Sequence, residues 1–271
     1  MKILVTGGGG FIAKNINQYL SNEFDVDCYG RDELDLMNIK SRSLIHYDAV
    51  VHCAIQGGTY RLNTKDTFYN NLFMVENLIN NIRKDTVLIN IGSGAEFART
   101  GDDIPKDYYG LSKRIISKVI LSREKSFNLR IYGCFGYGEN DNRFLNRCIN
   151  SDELTINKNI TFDYFYVDDL ARIVKFFLLN PKFVGSKRRM DLWDMDCVYD
   201  KKRNLLDIAN FVKDNYNKDL IIKVNRDVEK NNWAHIGDCV QIKKLENFME
   251  DKIIGFENGV REYYEKYKFF N

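Results

Sequence analysis

The stretch "ILVTGGGGFIAKNI", residues 3–16, decides the fold of this 271-residue chain. An apolar run precedes four glycines and an amphipathic segment follows them, which predicts a strand, a tight loop and a helix. The spacing of Gly7, Gly10 and Ala13 fits the G-x-x-G-x-x-G/A form of a dinucleotide-binding loop. Gly7 permits the turn, Gly10 lets the backbone approach a pyrophosphate, and Ala13 allows close packing of the helix on the strand. Backbone N–H groups at the start of the helix then favour the phosphates.

Strand-like and helix-like segments alternate along the first half of the chain. Apolar runs such as KILVT, AVVHCAI and TVLINIGS are each followed by a longer polar or amphipathic segment, which predicts βαβ units and a parallel sheet. We therefore predict an α/β fold, with a Rossmann-type doubly wound parallel sheet and a smaller C-terminal α/β substrate domain. The predicted nucleotide-binding domain comprises residues 1–138 and 161–182, and the predicted substrate-binding domain comprises residues 139–160 and 183–271.

Composition excludes several classes of protein. The net charge is only +2 and the basic residues are scattered, so no nucleic-acid partner is expected. No apolar run approaches a membrane span, and MKILVTG is typical of a first strand rather than a signal peptide, so we expect a soluble cytoplasmic protein without membrane contact. The six cysteines lack CxxC spacing and the three histidines lack metal-ligand spacing. Free thiols and no metal site are therefore expected.

Cofactor choice depends on the residues that follow the second predicted strand, DVDCYG. An acidic residue at this place would bond the ribose 2′-hydroxyl of NAD, whereas this chain has Gly30 and then Arg31. An arginine here accommodates a 2′-phosphate. The sequence favours NADP(H) over NAD(H), although an exposed arginine in a polar loop is also an ordinary surface feature.

The segment "PKDYYGLSKRII", residues 105–116, places Tyr109 four residues before Lys113, so both lie on one face of a predicted helix. Tyr108 would instead pair with Ser112. A lysine ammonium near a phenol lowers the pKa of the tyrosine, which can then exchange a proton with a substrate oxygen. Y-x-x-x-K alone is a weak motif, because tyrosine and lysine are common neighbours on helix surfaces.

Further motifs occur in a fixed order along the chain. They are the glycine loop, VVHCAIQGG at the predicted fourth strand, Asn71, INIGSGAEF, the Y-x-x-x-K pair, LRIYGCFGYG and FYVDDLARI. In this order they resemble the extended short-chain dehydrogenase/reductase family, in its nucleotide-sugar epimerase, dehydratase and reductase branch, over essentially the whole chain. RDELDL and AIQGG are most similar to the GDP-fucose synthase group and related 4-keto-6-deoxysugar reductases.

The resemblance implies a role for each matching residue. Ser93 would hydrogen-bond the reacting sugar oxygen, Tyr109 would be the general acid or base, and Lys113 would hold the nicotinamide ribose and tune Tyr109. The implied cofactor-binding residues are Gly7, Gly10, Phe11, Ile12, Arg31, Asp35, Leu36, Ala54, Ile55, Asn71, Lys113, Cys134 and Phe135. The implied substrate-binding residues are Gly94, Asn142 and Arg143. Ser93 could equally cap a turn, and the apolar members could be core residues.

The resemblance also implies partners. A nucleotide-diphosphate sugar is the expected substrate. A homodimer is expected through predicted helices at residues 66–83 and 107–123, whose apolar faces could equally pack within one chain. The apolar residues on these faces are Phe68, Leu72, Val75, Ile116 and Val119.

Two departures from the family pattern narrow the expected chemistry. Dehydratases of this branch place Asp-Glu directly after the serine that Ser93 matches, where this chain has Gly94 and Ala95. GDP-fucose synthase has a cysteine at the Ala95 position and a histidine after the YG motif, whereas ENDNRFLNRCI contains no histidine. Because abstraction of a carbon-bound proton needs a positioned base, dehydration and epimerisation at carbons 3 and 5 are predicted to be absent. Glu96 and Cys148 lie nearby in the sequence and keep the question open.

Reduction of a 4-keto group with NADPH and 4-epimerisation with NAD(P) both need only Ser93, Tyr109, Lys113 and the cofactor, and Arg31 favours reduction. A non-catalytic NADP-binding regulator is the alternative of another class, but all three residues are intact.

The last departure is Phe162, where the family usually has an arginine used on the substrate diphosphate. The candidate replacement cations are Arg143, Lys158, Lys187, Arg188 and Arg189.

Overall fold

The computed structural model describes residues 1–39, 43–58, 63–97, 104–184, 192–225 and 234–270. The strands, in chain order, are β1 (Lys2–Thr6), β2 (Asp25–Tyr29), β3 (Ala49–His52), β4 (Val87–Ser93), β5 (Ser126–Ile131), β6 (Gly133–Phe135), β7 (Glu153–Ile156), β8 (Thr161–Phe162), β9 (Tyr164–Tyr166), β10 (Asp194–Cys197), β11 (Ile221–Val224) and β12 (Ala234–His235). The helices are α1 (Phe11–Leu20), α2 (Lys65–Asn81), α3 (Tyr108–Leu121), α4 (Phe144–Asn150), α5 (Val167–Leu179), α6 (Leu205–Asn215), α7 (Val240–Glu246) and α8 (Gly255–Phe270).

Six parallel strands form the central sheet of the described residues, in the order β2-β1-β3-β4-β5-β10. The direction of strand succession reverses between β1 and β3, which is the topological switch point of a doubly wound sheet. The predicted α/β class and Rossmann-type sheet are thereby confirmed. Three smaller parallel pairs lie beside this sheet, namely β6 with β9, β7 with β11 and β8 with β12.

Strand β1 illustrates how the sheet is buried on both faces. Ile3 and Val5 belong to the hydrophobic cluster that contains residues of α1 and α5, whereas Leu4 belongs to the cluster that contains residues of α2 and α3. Successive side chains of a strand point to opposite faces, so one strand supplies both clusters. The uniformly apolar strand runs of the sequence follow from this burial.

Two features differ from the sequence-based expectations. The VVHCAI segment was expected to contain the fourth strand, but it contains β3, because the described residues between β2 and β3 form turns and bends instead of a further strand. Strand β10 lies in the range predicted for the substrate domain, but it pairs with β5 as the sixth strand of the central sheet. The rest of the domain division stays a prediction.

Helices α2 and α3 pack against the sheet and leave a mixed outer surface. Val75 and Ile116, two of the residues predicted for a dimer face, are buried within the chain, whereas Val119 is exposed. Tyr69 and Phe73 add exposed aromatic rings on α2, and the homodimer remains a prediction. No helix in the described part of the chain is long and apolar enough to cross a membrane.

Candidate active site

A first cavity of about 570 Å³ opens beside the loops that follow β1, β2 and β3. The carboxyl ends of strands at a switch point are where open α/β sheets bind ligands. The predicted cofactor residues that line this cavity are Gly7, Gly10, Arg31, Asp35, Leu36, Ala54 and Ile55. The loops after β1 and β3 approach closely here, because a side chain on Gly7, whose φ is +76°, would place its Cβ 2.8 Å from the Ala54 backbone. The first glycine is therefore required both by its conformation and by the space beside it.

A buried threonine joins the ends of β1 and β3. The Thr6 hydroxyl accepts hydrogen bonds from the backbone N–H groups of Cys53 and Ala54, each at 3.2 Å, and shares a hydrogen bond of 3.0 Å with His52 Nδ1. Burial lowers the pKa of His52 to about 3, with a smaller contribution from the charge of Lys113. His52 is therefore neutral at physiological pH and holds the loop rather than exchanging protons.

The loop after β2 carries the candidate determinant of cofactor choice. The Arg31 side chain is 81% exposed, and its Nε lies 3.9 Å from an Asp35 carboxylate oxygen. The Glu33 carboxylate accepts a hydrogen bond of 2.9 Å from the Gly30 N–H. The rim of the cavity therefore carries the Arg31 guanidinium and the Asp35 carboxylate, with the Glu33 carboxylate bound at Gly30.

A second cavity of about 570 Å³ adjoins the first, since Cys53 and Ile55 line both. It brings together the predicted residues Ile12, Ser93, Tyr109, Lys113, Cys134 and Arg143. The sequence-based prediction did not include other residues that line it, among them Asn63, Asp107, Tyr132 and His235. Ser93 ends β4 and Tyr109 lies in the first turn of α3, so the central sheet sets their proximity.

Local hydrogen bonds fix the start of α3. The Asp107 carboxylate accepts from the Gly110 N–H at 2.8 Å as the helix cap, and Asn63 Oδ1 accepts from the Tyr109 N–H at 2.9 Å. Asn63 also donates to Asp107 at 3.0 Å. These contacts orient the first turn, and they leave Tyr108 exposed on the other side of the helix.

Burial dominates the electrostatics of Tyr109. Desolvation raises the pKa of its phenol, and a hydrogen bond with Ser93 acts in the opposite direction with a smaller effect. The Ser93 hydroxyl also accepts from the Ala95 N–H at 3.2 Å, so it caps the following turn as well. The pKa of Tyr109 is therefore raised rather than lowered as expected, because desolvation outweighs the opposing effects. Lys113 Nζ donates to the Ile91 carbonyl at 2.7 Å.

Lys113 is a buried cation at the base of the second cavity. It is only 5% exposed, and desolvation lowers its pKa to about 8, against an opposing contribution from Glu96. The ammonium is thus mostly charged at neutral pH but close to losing its proton.

Four predicted ligand residues differ from expectation in where their side chains lie. The Asn71 side-chain amide is hydrogen-bonded to the Gln56 backbone: its oxygen accepts from the N–H at 2.8 Å and its NH₂ donates to the C=O at 2.9 Å. The same NH₂ also donates to the Ser112 hydroxyl. Phe135 is fully buried in the core, while its strand neighbour Cys134 faces the cavity, as alternation requires. Phe11 packs against the hydrophobic core, and Asn142 is exposed and lines neither cavity.

Packing explains why Gly94 carries no acidic side chain. A Cβ on Gly94 would lie 2.3 Å from the ring of Tyr132. Gly94 therefore lines a neighbouring cavity of about 300 Å³ rather than the one that holds Ser93 and Tyr109. An aspartate at this position requires Tyr132 to move.

Glu96 and Cys148, the two nearby groups that could have acted as a further acid or base, are both buried and held by the protein. Glu96 is buried, accepts from the Ser93 N–H at 3.0 Å, and lies 3.5 Å from Arg130, which also pairs with Asp194 and Asp196. Cys148 is fully buried in the core, and burial raises its pKa to about 12.

The cations that the sequence offers for binding a substrate diphosphate lie in different places. Arg143 lines the second cavity, next to the start of α4. Phe162, at the position where the family usually has an arginine, also lines this cavity. Lys158 is exposed and lines neither large cavity, and Lys187, Arg188 and Arg189 lie outside the described residues. The described residues contain no cluster of three or more His, Cys, Asp or Glu side chains that could hold a metal ion. No disulfide links the six cysteines.

Solved structures with the same fold include several nucleotide-sugar enzymes. The UDP-N-acetylglucosamine 4-epimerase of Bacillus cereus has a TM-score of 0.73 and 22% identity, covering 99% of this chain and 96% of that one. A dTDP-4-dehydrorhamnose reductase of Clostridium acetobutylicum has a TM-score of 0.78 and 16% identity, covering 99% and 100%. The GDP-mannoheptose C4 reductase of Campylobacter jejuni, with NADP bound, has a TM-score of 0.76 and 18% identity, covering 98% of each chain. At these identities the likeness concerns the fold.

Comparison with the sequences of curated proteins gives no match. The pattern of one protein family does match, over residues 3–192, which is more than half of the chain. That range contains the glycine loop together with Ser93, Tyr109 and Lys113. The chain therefore belongs to the NAD dependent epimerase/dehydratase family.

Proposed function

We propose that this protein uses NADPH to reduce the 4-keto group of a nucleotide-linked 4-keto-6-deoxysugar, without epimerisation at carbons 3 and 5. The observation that carries the proposal is a pair of adjoining cavities. The glycine-loop cavity adjoins the cavity lined by Ser93, Tyr109 and Lys113, and Cys53 and Ile55 line both. The positions that hold extra acid/base groups in sister enzymes are Gly94 and Ala95, and the Tyr132 ring fills the room beside Gly94.

The residues of the second cavity divide the work of such a reduction. When bound, NADPH supplies the hydride. The Ser93 hydroxyl hydrogen-bonds the keto oxygen, and Tyr109 donates its proton to that oxygen as negative charge develops there. Lys113 lines the same cavity and is charged below about pH 8, and its role in the proposal is to hold the nicotinamide ribose of the bound cofactor. The raised pKa of the Tyr109 phenol keeps it protonated and ready to donate.

Arg31 supports NADPH as the cofactor. Its exposed guanidinium lies at the rim of the first cavity, where it can reach a 2′-phosphate. Replacing Arg31 with alanine is expected to raise the KM for NADPH about tenfold, the worth of one charge-assisted contact, and to leave the KM for NADH unchanged. Steady-state kinetics with both cofactors measure this, and an equal change in both values contradicts the assignment.

A nucleotide-sugar 4-epimerase is the second candidate. The Glu33 carboxylate at the Gly30 N–H places negative charge near the end of β2, which favours a ribose hydroxyl over a phosphate. An epimerase recycles a tightly held NAD, so this feature favours it.

The test of the proposal is NADPH consumption with nucleotide-linked 4-keto-6-deoxysugars. We expect stoichiometric oxidation of NADPH with at least one of the dTDP-, GDP-, UDP- or CDP-linked keto sugars. Failure with all of them, together with interconversion of two 4-hydroxyl epimers, would assign the epimerase instead.

Exchange of Tyr109 for phenylalanine separates catalysis from binding. It should lower kcat by about two to four orders of magnitude, because it removes the proton donor, and leave NADPH binding intact by calorimetry. The matched control is Tyr108→Phe, which alters an exposed ring one residue away and should keep full activity. Unchanged turnover in the Tyr109 variant contradicts the mechanism.

A further inference from the structure

Three aromatic side chains form one side of the cavity that holds Ser93 and Tyr109. They are Tyr132, Phe162 and His235, and we call them the aromatic wall. The ring centroids of Tyr132 and His235 lie 4.9 Å apart in an edge-to-face arrangement, and those of Phe162 and His235 lie 5.0 Å apart. These are the separations at which aromatic rings pack as a unit.

Tyr132 is clamped in place. A Cβ on Gly94 would lie 2.3 Å from its ring on one side, and a Cβ on Gly237 would lie 2.6 Å from it on another. The Tyr132 hydroxyl donates to Asp196 at 3.1 Å, and Asp196 also accepts from Arg130 at 2.6 Å. The hydroxyl is thus engaged by the protein, and the ring is what remains available to the cavity.

Strand pairing positions the other two rings. In the β8–β12 pair Phe162 is the direct register partner of His235. A Cβ on Gly133 would lie 2.6 Å from the Phe162 ring, whose other neighbour is the Tyr164 ring with a centroid separation of 4.9 Å. Phe162 therefore fills space that a side chain on Gly133 would occupy, and it cannot swing out without breaking these contacts.

The aromatic wall contributes no lysine or arginine to the cavity. Among the described lining residues, the lysine and arginine side chains are those of Lys113 and Arg143. Lys113 lies at the base with Ile91, which leaves Arg143 as the cation placed to meet a diphosphate. An apolar aromatic surface next to the reacting group suits C–H and methyl groups rather than phosphate oxygens.

We propose that the aromatic wall binds the sugar by stacking against its apolar side, and that it selects nucleotide-linked hexoses deoxygenated at carbon 6. This rests on the proposed function, which places the reacting carbon between Ser93 and Tyr109. His235 is then a specificity residue that acts through its ring face, not through a proton.

The test uses binding to the full chain in the presence of NADP⁺, so that no turnover is needed. The probes are dTDP-rhamnose and GDP-fucose, with dTDP and GDP for comparison, measured by calorimetry. His235→Ala should weaken binding of the sugar nucleotide about threefold to tenfold, the worth of one aromatic contact, and leave the nucleoside diphosphate unchanged. His235→Phe, which keeps a ring, should bind both within about twofold of the wild type.

Three results overturn the proposal. One is an equal loss in His235→Phe and His235→Ala, which would mean that the imidazole nitrogens are needed. Another is an equal loss for sugar nucleotide and nucleoside diphosphate, which would place the phosphates or the base against the wall. The third is wild-type protein that binds neither 6-deoxyhexose nucleotide more tightly than its nucleoside diphosphate.

A second variant separates stacking from a folding defect. Phe162→Leu keeps an apolar side chain against Gly133 but removes the ring, so it should show the same selective loss. Retained NADP⁺ affinity in each variant shows that the fold is intact. A protein that oxidises no NADPH yet shows the ring-dependent pattern would refute the proposed reduction and leave the wall as a sugar-binding surface.

Discussion

Replacing Lys113 with methionine is expected to make this protein more stable and inactive. The buried ammonium has its pKa lowered from 10.5 to about 8 by desolvation. At about 1.4 kcal/mol per pKa unit, the folded state holds this charge at a cost of about 3 kcal/mol relative to the unfolded chain. The substitution also removes the hydrogen bond to the Ile91 carbonyl, which offsets about 1–2 kcal/mol of the expected gain in stability. Methionine has similar length and no charge, so a net gain of about 1–2 kcal/mol is expected near neutral pH.

The pH dependence of this gain identifies its cause. Between pH 8 and 10.5 the folded protein has released the Lys113 proton and the unfolded chain has not, so the unfolded state binds more protons. The stability of the wild type must then rise with pH across that window, and the gap to Lys113→Met must close. Urea unfolding at about pH 7 and about pH 10 measures both free energies.

Lys118→Met is the matched control, because it removes an exposed lysine from the same helix. It should change stability little and show no narrowing gap. The reasoning is refuted if Lys113→Met is less stable than the wild type near neutral pH, or if its stability difference is the same at both pH values. Turnover should fall in Lys113→Met by about two orders of magnitude or more, since the ammonium assigned to hold the nicotinamide ribose is lost.

Two further substitutions test the packing around Tyr132 and the effect of the buried Glu139 carboxyl. Gly94→Asp should lower the free energy of unfolding by about 1–3 kcal/mol, because its Cβ would meet the Tyr132 ring at 2.3 Å. Adding Tyr132→Ala should restore part of this loss. Equal melting temperatures for the wild type and Gly94→Asp would contradict the reasoning. Glu139 is buried with its pKa raised to about 8 from 4.5, chiefly by desolvation, so wild-type stability should fall as pH rises through that window. Glu139→Gln should match the wild type near pH 4 and melt higher near pH 8, whereas parallel melting profiles would show that this carboxyl is not the source.

Local sequence carries enough information for the cofactor side of the molecule. The glycine loop, the loop after β2 and the Tyr109–Lys113 pair each lie within one turn or one strand end, so their spacing predicts the place they occupy. Ser93 joins them because parallel strands end at one edge of the sheet. These residues line the two adjoining cavities.

The substrate side depends on contacts between distant segments. His235 reaches the cavity only because β12 pairs with β8, and no pattern near either strand indicates that pairing. The position of the Tyr132 ring likewise depends on two glycines far apart in the chain, Gly94 and Gly237, which leave room for it.

For two of the predicted cofactor-binding residues, the sequence itself indicates the side-chain placement that the structure shows. Asn71 is spaced four residues from Thr67 and from Val75 on the buried face of α2, which indicates a structural role. Phe135 and Cys134 are adjacent on a strand, so both could not face one cavity.

The clamp on Tyr132 also limits how this chain can evolve. An aspartate at position 94 brings no useful chemistry while the ring stands there, and a smaller residue at position 132 dissolves the packing against Gly237 and the contact with Asp196. Each change alone would disturb this packing, so an acidic residue at position 94 would have to arrive together with a smaller residue at position 132.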